Sequence, residues 1–194
     1  MTSTIILSGL VVGHDARAVA RVSNVELDAE RAWIVTGPNG SGKTTLLKTL
    51  AGLLPPIAGT MSPAPAPGPS ACVFVHATPV LFRGTVRSNL AVTADPAGVE
   101  SAATAFGLTD WLDRPVRELS QGIRQRTSIA RAVARSPRCL FVDEAEGGLD
   151  DRGRELWAEF VRSAVGARRM IIVVAAHKQD PFGVPTERIT LSAP

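Results

Sequence analysis

The segment Gly37-Pro38-Asn39-Gly40-Ser41-Gly42-Lys43-Thr44 constrains this chain more than any other. It reads glycine, four residues, then Gly-Lys-Thr, with Thr45 extending the hydroxyl run. Its flanks change period. Ala32 to Thr36 is an apolar run of strand length, whereas Leu46, Leu47, Leu50 and Leu53 recur at helical spacing over Lys43 to Leu53. A strand, a glycine-rich turn and a helix in this order make a phosphate-binding loop. The glycines let consecutive amide hydrogens converge on an anion, and the helix beginning near Lys43 adds the positive end of its dipole. Lys43 offers a mobile cation for the β- and γ-phosphates, and the Thr44 hydroxyl can ligate Mg²⁺. The motif implies a bound nucleoside triphosphate without saying what it drives.

The surrounding pattern predicts the fold. Apolar strands are expected over Ala71 to Val75, Cys139 to Val142 and Met170 to Ala175, with helices over Gln121 to Arg135 and Asp151 to Val165. Strands apolar on both faces and alternating with helices predict an α/β P-loop NTPase with a mostly parallel sheet. Thr4 to Leu7 and Val19 to Leu27 predict a small N-terminal antiparallel part, and Arg87 to Glu118, which contains no strand pattern, a short helical subdomain. A chain of 194 residues suits one domain over 1–194. Pro55 to Pro69 holds six prolines and reads as a surface loop at the place of a shortened hairpin.

Composition narrows the function classes. Hydrophobic residues at 45% and charged residues at 20% belong to a globular protein and exclude disorder. The longest apolar runs, such as Ile171 to Ala176, fall far short of the roughly 20 residues of a membrane span. No basic n-region precedes an apolar core at Met1-Thr2-Ser3-Thr4, so the cytosol is the expected compartment. A formal charge of +3 is too mild for a dedicated nucleic-acid binder, and none is expected as a partner. Cys72 and Cys139 sit in apolar runs, lack metal-site spacing and read as buried strand thiols.

The phosphate loop needs an acidic partner, and Leu140-Phe141-Val142-Asp143-Glu144 supplies one: an apolar strand ending in two carboxylates. Asp143 is placed to orient Mg²⁺, and Glu144 to position or deprotonate the attacking water. Downstream of the loop lie Leu119-Ser120-Gln121-Gly122-Ile123-Arg124-Gln125-Arg126 and Ile129-Ala130-Arg131-Ala132. Taken as bare pattern, these form an N-capped amphipathic helix. With the other motifs in this order, nearly the whole chain resembles the ABC ATPase family, and this stretch its signature motif.

The resemblance implies ATP and Mg²⁺ as ligands and a head-to-tail dimer. In such a dimer Ser120, Gln121 and Gly122 would cap the γ-phosphate held by the other subunit's loop. Gly148-Leu149-Asp150 resembles the loop that crosses that interface, and His177 the histidine that contacts the γ-phosphate. Pro79 to Val86 resembles the segment that docks on a transmembrane permease, which implies peripheral attachment to the cytoplasmic face of the membrane. Homodimer and heterodimer stay open, as do substrate and direction of transport. The same resemblance also allows a soluble ABC-type ATPase in assembly, translation or repair. A P-loop kinase leaves the signature segment and His177 unexplained.

Three positions depart from the family's pattern. Ala77, beside His76, stands where a metal-sensing glutamine is expected, so either His76 substitutes or this link is weakened. Gln121 replaces a glycine and Ile123 a polar residue, which allows slower or asymmetric turnover. The adenine-stacking aromatic near the N-terminus is aligned with His14, in a chain without tyrosine, which implies weaker hold on the base.

Overall fold

The computed structural model describes residues 4–65, 71–176 and 182–193. Strand β1 (Ile5–His14) turns through Asp15 and Ala16, both at positive φ, into β2 (Arg17–Val22). Two consecutive positive-φ residues give a tight turn whose twist matches the paired strands. After Ser23-Asn24 comes β3 (Val25–Leu27), and β1 pairs antiparallel with both β2 and β3. The run expected over Val19 to Leu27 is therefore broken, with the Asn24 side chain accepting the Gly9 amide at 2.9 Å. β1 also outruns the expected Thr4 to Leu7. Gly9 takes φ +57 inside the strand and the register slips around it, as at a bulge.

β4 (Ala32–Thr36) leads through the glycine turn into α1 (Lys43–Leu50). This helix stops short of Leu53. Gly52 takes φ +74, its amide bonds Thr49 O and the Leu53 amide bonds Lys48 O, a Schellman closure. The proline-rich stretch is not all loop, which corrects the expectation. β5 (Ala58–Ser62) pairs antiparallel with β1, because those five residues lie in the gap between Pro56 and Pro63 and keep their donors.

β6 (Cys72–Val75) precedes the helical part. There α2 (Val86–Ala91) carries a reciprocal Thr85–Ser88 capping box, and α3 (Pro96–Ala105) starts at an Asp95 cap with proline in its first turn. Single turns at Thr109–Trp111 and Val116–Glu118 lead to α4 (Gln121–Val133). Then come β7 (Cys139–Asp143), α5 (Asp151–Gly166), β8 (Ile171–Ala175) and β9 (Thr186–Ser192).

The sheet runs β3-β1-β2-β9-β4-β8-β7-β6, parallel from β9 to β6. β9 was not anticipated. Its sequence Thr-Glu-Arg-Ile-Thr-Leu-Ser fully buries only Ile189, yet it joins the antiparallel part to β4. Alternation then sorts the core into two layers. Trp33, Val35, Phe141, Ile171 and Val173 face α1 and the antiparallel strands. Ile34, Leu140, Val142, Ile172 and Val174 face the helices α2 to α5, where Trp157 packs against Phe160 and Phe182. A sheet covered on both faces explains why its central strands read as unbroken apolar runs.

Candidate nucleotide site

Parallel strands deliver their C-terminal ends to one edge, and ligands of open α/β sheets bind there. At this edge β4 runs into the loop 37–42 and β7 into Asp143 and Glu144, with β8 between them. The loop needs its glycines. Gly42, the cap of α1, sits at φ +97, and a Cβ on it would lie 2.9 Å from that of Ala20. A Cβ on Gly37 would come within 2.7 Å of Ser41 Oγ. No side chain caps α1 and its first turn has no acid, so its leading amides stay available to an anion.

The loop, α1, Asp143, Glu144, His14, Val19 and Ala77 enclose a cavity of about 430 Å³. Lys43, 5% exposed, donates to Gly37 O at 2.9 Å and Pro38 O at 3.2 Å, and pairs with Glu144 Oε1 at 3.2 Å. The Glu144 carboxylate thus occupies the cation that a γ-phosphate would otherwise meet. Glu144 also holds φ +47, a conformation side chains other than glycine rarely adopt, with its amide bonded to Ala175 O at 3.1 Å.

Thr44 Oγ1 donates to Asp143 Oδ2 at 2.8 Å. Asp143 Oδ1 is buried without a partner, and so is Ser41 Oγ. An ionised buried oxygen left bare is costly. The Thr44–Asp143 pair is therefore a hard oxygen donor set with spare capacity, which fits Mg²⁺. His14, at the β1–β2 hairpin, places Nε2 3.0 Å from Thr45 Oγ1. Val19, which the sequence reading did not single out, lines the cavity from β2, three residues beyond the turn. Ala77 lines the cavity as well. His76 instead lies edge-on to Phe74, with ring centroids 4.7 Å apart, and lines a different groove.

The signature residues lie apart from this cavity. Ser120 caps α4, accepting the Ile123 amide at 3.4 Å; Ser120 and Gln121 are exposed and Gly122 is buried. Gly122 packs so closely on Asp150 that a Cβ would be 3.0 Å from its carboxyl carbon. Asp150 caps α5 through the Gly153 amide at 2.9 Å and accepts from Arg126 at 2.8 Å. Arg126 stood unremarked within the motif; its reach to Asp150 is tertiary and leaves no local signal. His177 lies outside the described residues.

A family model described as ABC transporter matches residues 21–147. The zinc import ATP-binding protein ZnuC of Marinobacter nauticus is 34% identical over 194 residues, spanning 97% of this chain and 74% of the relative. The cytochrome c biogenesis ATP-binding export protein CcmA of Paracoccus denitrificans is 34% identical over 167 residues, spanning 84% and 76%. A solved structure of a putative ABC transporter ATP-binding protein from Pyrococcus furiosus superposes with a TM-score of 0.81 at 20% identity, covering 96% of this chain and 98% of that one. That likeness carries the fold, and the sequence relatives carry the activity. The chain belongs to the ABC transporter family and is one of its ATP-binding, ATP-hydrolysing subunits.

Proposed function

We propose that residues 1–194 work as one ABC-type domain, with 87–118 as its helical subdomain, powering a pore formed by a separate membrane polypeptide. The observation that carries the site assignment is the meeting of Lys43, Thr44, Asp143 and Glu144 in one cavity at the C-terminal edge of the sheet. The main-chain amides of residues 39–45 and the Lys43 ammonium would hold the phosphates of ATP, with Gly37 and Pro38 shaping the turn through their carbonyls on Lys43. Thr44 and Asp143 would hold Mg²⁺, which when bound neutralises phosphate charge. Lys43 exchanges Glu144 for the γ-phosphate, and the freed Glu144 carboxylate takes the proton of the attacking water. His177, by the family resemblance, would complete that arrangement at the γ-phosphate. His14 is tied to Thr45 and so borders the nucleotide by hydrogen bonding as much as by stacking.

Ser120, Gln121, Gly122 and Asp150 act in trans, in a homo- or heterodimer. The support is positional: Ser120 and Gln121 are exposed at the start of α4, away from their own chain's cavity. An N-terminal turn of this kind is ready to receive an anion from outside. The departures at Ala77, Gln121 and Ile123 leave every phosphate-contacting group of the loop in place.

The membrane partner docks at 79–86, which attaches the chain peripherally to the cytoplasmic face. Val80 and Phe82 are 60% and 55% exposed, beside a groove lined by Leu53, Phe74, Val80 and Arg131. Arg131 fixes the segment by donating to Val80 O at 2.7 Å and lying over the Phe82 ring at 5.1 Å. Large apolar side chains held rigid at a surface suit a protein partner. Among the described residues no helix is long and apolar enough to cross a membrane. The relatives named above include an importer and an exporter, so the likeness assigns the engine and not the cargo.

Sedimentation of Glu144→Gln with ATP tests the shared site. The expected species is a dimer that Ser120→Arg abolishes; a dimer indifferent to Ser120→Arg overturns the trans assignment, and a monomer at saturating ATP excludes the homodimer and leaves the heterodimer.

A further inference from the structure

The chain's two cysteines come from distant parts of the sequence and meet in the sheet. Cys72 opens β6 and Cys139 opens β7, and they are direct partners in the parallel register. Register partners on neighbouring strands point to the same face, here the layer that contains α1. Neighbouring strands run about 4.8 Å apart, inside the roughly 4.4–6.8 Å Cα separation that a disulfide spans. Both thiols are free.

The two thiols differ in surroundings. Cys139 is 5% exposed, whereas Cys72 is half-buried and opens onto a groove of about 380 Å³ shared with Leu53, Phe74 and His76. A hydrogen bond from the Cys139 thiol lowers the Cys72 pKa, against the opposing effect of burial and with help from the Arg138 charge. The same hydrogen bond, then burial, raises Cys139. An accessible thiol that ionises more readily, backed by a buried protonated one, is the arrangement of an attacking and a resolving cysteine.

We propose that Cys72 and Cys139 form a hydroperoxide-reactive dithiol that closes an intrachain disulfide across β6 and β7. The Cys72 thiolate attacks one peroxide oxygen. An S–O bond forms, the O–O bond breaks, and the departing hydroxide takes a proton to become water. Cys139 sulfur then attacks the Cys72 sulfur of the resulting sulfenic acid. The S–S bond forms, the S–O bond breaks, and the Cys139 proton leaves with the hydroxyl as a second water. Two thiols and one hydrogen peroxide give one disulfide and two waters, and a dithiol reductant reverses the bond by exchange. The clamp ties the edge strand to β7, whose far end carries Asp143 and Glu144. The groove onto which Cys72 opens also borders the proposed docking segment at Val80 and Arg131, and the test uses the chain without a membrane partner.

The test is titration of the full-length chain with hydrogen peroxide under native conditions, read by thiol count, intact mass and non-reducing peptide mapping. The expected result is joint loss of both thiols, a mass lower by two hydrogens and a Cys72–Cys139 linked peptide, all reversed by dithiothreitol. In Cys139→Ala, or Cys139→Val should the first fail to fold, dimedone should label Cys72. In Cys72→Ala, Cys139 should stay reduced under the same exposure. Survival of both thiols at peroxide levels that oxidise glutathione in the same tube overturns the proposal. So does a disulfide between two chains, or ready oxidation of Cys139 in Cys72→Ala.

Discussion

Glu144→Gln should separate binding from turnover, because Glu144 pairs with the Lys43 ammonium that ATP must recruit. At 3.2 Å the Coulomb attraction of that pair runs from about 1 kcal/mol in a water-like dielectric to about 5 kcal/mol at an effective dielectric of 20. Glu144 is 31% exposed, so screening places the net value near the low end, on the order of 1 kcal/mol. The variant keeps the Gly37 and Pro38 carbonyls on Lys43, so the loop retains its shape. Relieving the competition should tighten the nucleotide by roughly fivefold, since about 1.4 kcal/mol corresponds to tenfold. Loss of the positioning base should slow hydrolysis by on the order of 10² to 10⁴. Calorimetric titration with a non-hydrolysable ATP analogue reads the first effect, and phosphate release at saturating ATP the second. Weaker binding with unchanged turnover would refute both the competition and the base assignment.

Lys43→Ala should remove most nucleotide affinity in the same titration, and unchanged affinity would mean the phosphates bind elsewhere. Gly42→Ala combines about 1–2 kcal/mol for a non-glycine left-handed residue with about 1–3 kcal/mol for crowding Ala20. A loss of about 2–5 kcal/mol should lower the melting temperature by roughly 4–20 °C, measurable by circular dichroism, and an unshifted transition would show that the loop has another conformation. Ala77→Gln returns a metal-seeking amide to the cavity edge and should raise Mg²⁺-dependent phosphate release. No change would mean that water already fills that place.

What could be read in advance follows from how local each signal is. The strand–glycine–helix unit at 32–50 and the carboxylate pair after β7 are written in contiguous residues, and the structure brings them into one cavity. The buried strands β4, β7 and β8 announce themselves because both faces are apolar. β9 and β5 did not, since each is mostly solvent-facing, and β5 hides between prolines. Contacts closing over long separations, such as His14 with Thr45, Arg126 with Asp150 and Cys72 with Cys139, depend on sheet order and register, which no local pattern encodes. The split of Val19 to Leu27 is accompanied by one long-range bond, from the Gly9 amide to the Asn24 side-chain oxygen, which no local pattern announces.

The central claim is that ATP is hydrolysed at a site two chains complete together. Steady-state phosphate release measured against chain concentration tests it most directly, with Glu144→Gln as the silent control. Specific activity that climbs with concentration to a plateau and disappears in the variant is the predicted result. Specific activity that is constant down to the most dilute sample, in chains sedimenting as monomers, would contradict it.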